Sequence, residues 1–213
     1  MHGAKRGVFI SFEGVEGSGK TTQAKSLIRW LTERKISHIF IRDPGCTEIG
    51  EKIREILLNK EFRDMHARCE VLLFLAARSQ LTYEKILPAL QEKKVVVTDR
   101  FSDSTFAYQC YARDLPRRLI TIFNRFATSG LKPDLTFLVD IDISMRKERG
   151  KFEDRMETEA EVYHQRVRQA YRLLAARSKK RFRVLNGEKS VNTVQDEVIR
   201  HVRELLIRKG YRV

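Results

Sequence analysis

The chain is poor in the residues that mark several protein classes. Only three of its 213 residues are cysteine, Cys46, Cys69 and Cys110. An odd number without a C-x-x-C spacing supports neither a disulfide framework nor a zinc site, and a reducing, cytoplasmic compartment is expected. Four prolines and 11 glycines are too few for collagen-like or low-complexity sequence. Long apolar runs are missing, so no membrane-spanning helix is expected. The basic stretch Met1 to Gly7 meets only the short run Val8 to Phe12 and then a glycine-rich loop, which is not a signal-peptide pattern. Negative charge is also scarce: 28 Asp and Glu against 42 Lys and Arg leave a net +14. Such a surface draws anionic partners, whether nucleotides, nucleic acid or acidic lipid.

What is present is 42% hydrophobic residue content in a 25.0 kDa chain, enough for one α/β domain with a substantial core. Short β-branched runs alternate with longer segments of helical period, the pattern of βαβ units. Strands are expected at Val8–Phe12, His38–Ile41, Lys94–Thr98, Leu135–Val139 and Phe182–Leu185. Helices are expected near Lys20–Lys35, Thr47–Leu58, His66–Glu92 with a break at Pro88, Ser104–Ala112, Pro116–Ala127, Glu157–Arg177 and Thr193–Arg208. The reading is a single domain over residues 1–213, built on a five-stranded parallel sheet flanked by helices. Between Arg146 and Arg183 lie 13 Lys or Arg against 6 Asp or Glu. That run is either a solvated helix face or a basic flap over phosphates.

Gly14-Val15-Glu16-Gly17-Ser18-Gly19-Lys20-Thr21, followed by Thr22, matches G-x-x-x-x-G-K-[ST] between a strand and a helix. Glycines let the backbone curl its N–H groups inward, and the helix adds the positive end of its dipole. Lys20 is expected at the β- and γ-phosphates, and the Thr21 hydroxyl at the Mg²⁺ that bridges them. Asp99, at the end of the run Lys94 to Thr98, is the expected second holder of the metal shell, with Arg100 next to it. A nucleoside triphosphate is the implied ligand, for phosphoryl chemistry or nucleotide-driven motion.

The stretch Asp99 to Gln109, DRFSDSTFAYQ, resembles the thymidylate kinase signature, with Ser104, Ala107, Tyr108 and Gln109 in register. Arg42-Asp43-Pro44-Gly45-Cys46-Thr47 is similar to that family's R-E-P-G-G-T loop, whose proline is typically cis. Glu70 to Arg78 resembles its acceptor helix, and Arg149 with Glu153-Asp154-Arg155 its lid, at about residues 146–157. The resemblance runs from about Val8 to Arg208 and implies the P-loop nucleoside monophosphate kinase fold and transfer of the ATP γ-phosphate to dTMP. It implies Phe74 under the thymine, Arg78 at its O4, Thr105 at the N3 side with Gln109 nearby, and Tyr108 against the sugar. It further implies Arg42 and Arg100 at the monophosphate, Glu16 near the 3′-hydroxyl, and Asn186 and Gly187 near adenine. It suggests a homodimer packed through the Leu72–Leu81 helix and its neighbours. No arginine lies within the phosphate loop, so the lid is expected to supply one, Arg149 before Arg155 and Arg146. Asp43 and Cys46 depart from the family's Glu and Gly.

Two other readings stay open on sequence alone. A deoxynucleoside kinase or another pyrimidine monophosphate kinase uses the same loop, although paired arginines favour a monophosphate over a neutral sugar hydroxyl. A nucleic-acid-binding P-loop protein would suit the charge, but basic residues interleaved with aromatics are not found.

Overall fold

The computed structural model describes residues 6–149 and 154–213. Strands β1 (Val8–Glu13), β2 (His38–Arg42), β3 (Val95–Asp99), β4 (Leu135–Asp140) and β5 (Phe182–Asn186) all pair in parallel, in the order β2-β3-β1-β4-β5. Each strand ends one residue beyond its expected end, on a polar residue: Glu13, Arg42, Asp99, Asp140 and Asn186. Apolar patterning could not include them. These five residues line the carboxyl edge of the sheet, where open α/β sheets bind ligands.

β1 is buried at all six positions, as the centre of a sheet covered on both faces must be. Its side chains alternate. Val8, Ile10 and Phe12 pack with Leu27, Trp30 and Leu31 of α1 (Lys20–Glu33) and with Val198, Val202 and Leu206 of the last helix (Val191–Arg208). Phe9 faces the opposite layer, among Leu81, Ile86, Leu90 and Phe101. Complete burial of one such side chain is worth about 1.5–3 kcal/mol. The chain leaves β1 toward one face and β3 toward the other, so a crevice opens between these neighbouring strands.

The helices follow the expected order with several differences. α2 (Glu48–Leu58) starts where foreseen, capped by Thr47, whose Oγ1 accepts from Gly50 N at 2.9 Å. α3 (Ala67–Leu81) does not break at Pro88 but widens earlier, to a π turn over Thr82–Ile86, before α4 (Leu87–Gln91). A widened turn already leaves the ladder irregular, so a proline just beyond it does not end the helix. α5 (Ser102–Thr105) likewise runs into a π turn, Phe106–Ala112; such turns recur at functional sites. After α6 (Arg117–Ala127), a short helix not foreseen in the basic run, α7 (Ile143–Arg149), follows β4. α8 (Glu161–Arg177) starts four residues later than expected because the chain turns before it, and α9 (Val191–Arg208) closes the fold. Among the described residues no helix is long and apolar enough to cross a membrane.

Candidate nucleotide-binding site

The phosphate loop leaves β1 through Gly14, at φ 147°, where an added Cβ would stand 2.5 Å from the Val139 carbonyl oxygen. Gly19, at φ 90°, occupies the N-cap of α1. Glycine is required in both conformations. Lys20 opens α1 and is largely buried; burial, and then the repulsion of Arg100, lower its pKa. The Thr21 hydroxyl donates to Asp99 Oδ2, while the buried Asp99 Oδ1 receives no hydrogen bond from the described residues.

Two cavities meet at this loop. The larger, about 690 Å³, is lined by Gly17 to Gln23, by Val139 and Arg149, and by the segment Gly187 to Val191 after β5. Of the residues expected around the donor, Gly17, Ser18, Gly19, Lys20, Thr21 and Thr22 fall here. Gly14, Val15 and Glu16 do not: Val15 is packed in the core, and Glu16 turns to the other side. Gly187 lines this cavity, whereas Asn186 caps the turn, its Oδ1 accepting from Glu188 N at 2.9 Å. Arg149 reaches its rim, where Nη1 donates to the Gly187 carbonyl at 2.8 Å.

The smaller cavity, about 220 Å³, gathers Arg42, Phe74, Arg78, Arg100, Thr105, Tyr108 and Gln109, every residue expected around the acceptor. Lys20 and Thr21 line it too, and so belong to both cavities. Arg78 is buried and held on three sides: Nε donates to Asp43 Oδ2 at 2.5 Å, and Nη1 to Thr105 Oγ1 at 2.5 Å and Asn124 Oδ1 at 2.8 Å. Asp43, the departure from the family pattern, is thus the anchor of Arg78. The Asp43–Pro44 bond is cis, as the resemblance implied. Cys46 adopts a left-handed φ of 64°, and its N–H donates to Glu51 Oε1 at 2.6 Å. Glu51 Oε2 accepts from Arg42 Nη2 at 2.8 Å, so Arg42 stands at the rim, half exposed.

Arg100 lies over the Tyr108 ring, 4.9 Å from its centroid, and its Nη2 donates to Glu16 Oε1 at 2.8 Å and to Tyr108 Oη at 3.0 Å. Burial alone would raise the pKa of Glu16; the Arg100 guanidinium and the Lys20 ammonium overcome it and hold the carboxyl down to about 2. His164, fully buried on α8, places Nδ1 3.5 Å from Glu16 Oε2.

Sequence reasoning missed several of these residues. Arg54 lines the smaller cavity, and its Nη1 donates to the Pro44 carbonyl at 3.0 Å. Its signal was legible, since it is a cation on the inward stripe Gly50, Arg54, Leu57 of α2. Glu13, Tyr171 and His164 had none, because each looks like an ordinary member of its strand or helix. Of the lid, Arg146 and Arg155 are buried, and Glu153 lies outside the described residues.

Glu13 is wholly buried beneath Arg100, accepting from Phe101 N at 2.8 Å, Ser104 Oγ at 2.7 Å and Tyr171 Oη at 3.1 Å. Burial, reinforced by the nearby Asp103, pushes its carboxyl from the ordinary 4.5 up to about 8. Between those values the folded chain keeps a proton that the unfolded chain has released. Its contribution to stability is therefore complete below the unfolded value and is lost as pH rises through the folded one. Glu13→Gln, which cannot ionise, is expected to show a smaller drop in Tm between about pH 6 and pH 8.5 than the native protein; equal drops in a thermal melt would refute the assignment.

Comparison with known proteins agrees with this geometry. The family model described as thymidylate kinase matches residues 12–198. The thymidylate kinase of Carboxydothermus hydrogenoformans is 47% identical over 197 residues, covering 91% of this chain and 95% of that protein. That of Kosmotoga olearia is 41% identical over 207 residues, covering 96% and 99%. The crystal structure of thymidylate kinase from Ehrlichia chaffeensis superposes with a TM-score of 0.77 at 31% identity, covering 92% of this chain and 99% of that one. With its parallel sheet, its glycine loop at the end of β1 and these relatives along nearly its whole length, the chain has the P-loop nucleoside monophosphate kinase fold and belongs to the thymidylate kinase family.

Proposed function

We propose that the protein transfers the γ-phosphate of ATP to dTMP, giving ADP and dTDP, a step toward dTTP, with ATP in the larger cavity and dTMP in the smaller. The observation that carries this reading is the shared wall: Lys20 and Thr21 line both cavities, so two nucleotides bound there would meet phosphate to phosphate. An acceptor phosphate oxygen is already anionic and needs no strong base, so positioning and charge neutralisation carry the reaction. Phe74 stacks on the thymine, Arg78 donates to its O4, Thr105 and Gln109 face the N3 side, and Tyr108 crowds a 2′-hydroxyl. Arg100 exchanges Glu16 for the incoming phosphate, helped at the rim by Arg42 and Arg54, and Glu16 then serves the 3′-hydroxyl.

Thr21 and Asp99 suit a Mg²⁺ bound with phosphates and water. The buried Asp99 Oδ1 has an unused lone pair in the wall of the smaller cavity, beside Thr21, which lines both. Among the described residues no group of three His, Cys, Asp or Glu forms a metal cage, and a phosphate-bound Mg²⁺ needs none. When bound, the ion neutralises charge on the β- and γ-phosphates. Residues 1–213 act as one kinase domain, with residues 146–157 as its lid. A cytoplasmic setting suits three unpaired cysteines.

The test is ADP release with dTMP, dUMP, dCMP and thymidine side by side. Preference for dTMP is expected, and preference for thymidine would overturn the acceptor assignment. A homodimer is also part of the proposal. Leu72 of α3 and Leu119, Ile122 and Phe126 of the adjoining α6 are exposed apolar residues, Phe126 at 82%. Sedimentation is expected to give twice the 25.0 kDa chain mass, and Phe126→Asp to shift the protein toward the monomer. A native protein that sediments as one chain would reject the dimer.

A further inference from the structure

Glu70 is a buried acid that the proposed phosphoryl transfer does not use. Glu70 lies in the first turn of α3 and is fully buried. Its Oε1 accepts from Gln109 Nε2 at 2.9 Å, and its Oε2 from Arg155 Nη2 at 2.8 Å and Arg113 Nη2 at 3.2 Å. Arg155 extends the linkage: its Nε donates to the Leu57 carbonyl at 3.0 Å, and its backbone N to the Leu58 carbonyl at 3.1 Å. Arg113 continues to Glu159 and covers the Tyr163 ring, 4.6 Å from its centroid. One carboxyl thus joins the end of α2, the start of α3, the π turn after α5 and the end of the lid. Leu58, Phe74, Gln109, Asp154 and Met156, all wall residues of the acceptor cavity, stand on the pieces it joins.

Taking a carboxyl and two guanidiniums out of water is costly, and apolar side chains of similar volume would often hold such a space as well. Apolar side chains could not fix a direction. A carboxyl oxygen that receives Nε2 of Gln109 determines which way that amide faces, and leaves its oxygen as an acceptor at the cavity wall. An acceptor there suits a base edge that donates, such as an imide N–H, and opposes one that presents a lone pair. A site built around a hydrogen bond rejects the wrong partner strongly, because the mismatch leaves buried polar groups unpaired. The same carboxyl gives Arg155 a dock, which brings residues 154–157 against the cavity.

We propose that Glu70 is a positioning residue that sets base selection through Gln109 and seats the lid base through Arg155. The proposal rests on the acceptor reading given above. It also removes Arg155 from the candidates for the transferring phosphate and makes it a fastener.

The experiment compares Glu70→Gln, Arg155→Met and the double variant by steady-state kinetics with dTMP and dCMP as acceptors. Glu70→Gln is expected to raise KM for dTMP by about tenfold or more and lower the dTMP over dCMP preference in kcat/KM by about tenfold, with KM for ATP within about threefold. Arg155→Met is expected to raise KM for dTMP while keeping the preference, since the bond to Gln109 survives. The double variant is expected to be no more than about threefold worse than the poorer single variant, because both cut one linkage. An equal rise in both KM values, a preference unchanged within about twofold, or multiplied effects in the double variant would overturn the proposal. Should Glu70→Gln not fold, Gln109→Met must lose the preference and Arg155→Met must keep it; either failing overturns the proposal. A native protein inactive on dTMP would instead refute the acceptor reading.

Discussion

Lys20→Ala is expected to reduce turnover by about 10²–10³-fold while dTMP still binds, the loss typical of removing one pre-placed donor from a developing charge. The side chain opens α1, so its position is set by the loop and the helix together. It is nine-tenths buried and lines both cavities, so its ammonium sits where donor and acceptor phosphates would meet. Burial and Arg100 oppose its charge, whereas Asp99 and Glu16 support it. Phosphates arriving on both sides would support it further. The measurement is kcat by ADP release, together with dTMP affinity by titration calorimetry. Turnover within about threefold of the native protein would mean that the loop is a structural turn only.

Arg149→Ala is expected to cost at least about 10³-fold in kcat, the low end of what a transition-state arginine contributes in P-loop enzymes. The loop carries Gly17 and Ser18 and no arginine, so the charge must come from outside it. Three lid arginines compete, and their surroundings differ. Arg155 is committed to Glu70 and the end of α2. Arg146 is buried, with Nη2 donating to the Glu157 carbonyl at 2.6 Å and Nε 3.9 Å from Glu16 Oε2. Arg149 alone of the three lines the donor cavity, tethered only to the Gly187 carbonyl among the described residues, a bond easily exchanged for phosphate oxygens. Arg149→Lys should recover part of the rate, since it keeps the charge and loses the fork. A loss smaller than about threefold, under about 1 kcal/mol, would clear Arg149 of the role.

The basic run from Arg146 to Arg183 illustrates what one-dimensional reading leaves undecided. Its arginines are neither a uniform solvated face nor a uniform flap. Arg168 pairs with Asp140 at 2.9 Å and Asp142 at 2.7 Å, fastening α8 to the end of β4. Arg181 forms a two-pronged pair with Asp103 at 2.6 and 2.9 Å. Among the described residues of the run, Arg149 lines the larger cavity. Charge counting sees the same residue type in each case, and the partners lie tens of positions away.

The order of strands and helices, the glycine loop with Lys20 and Thr21, and the pairing of Phe74 with Arg78 on one helical turn were all written in local sequence. Each depends on neighbours within a few residues, through backbone period, glycine conformation or helix geometry. Tertiary structure alone decided that the Glu13 carboxyl is pushed up, that Asp43 grips Arg78, that Glu70 gathers Gln109, Arg113 and Arg155, and which lid arginine lines the larger cavity. Those outcomes arise from desolvation and charge contacts between distant segments, and such energies exist only once the sheet has brought its strand ends together.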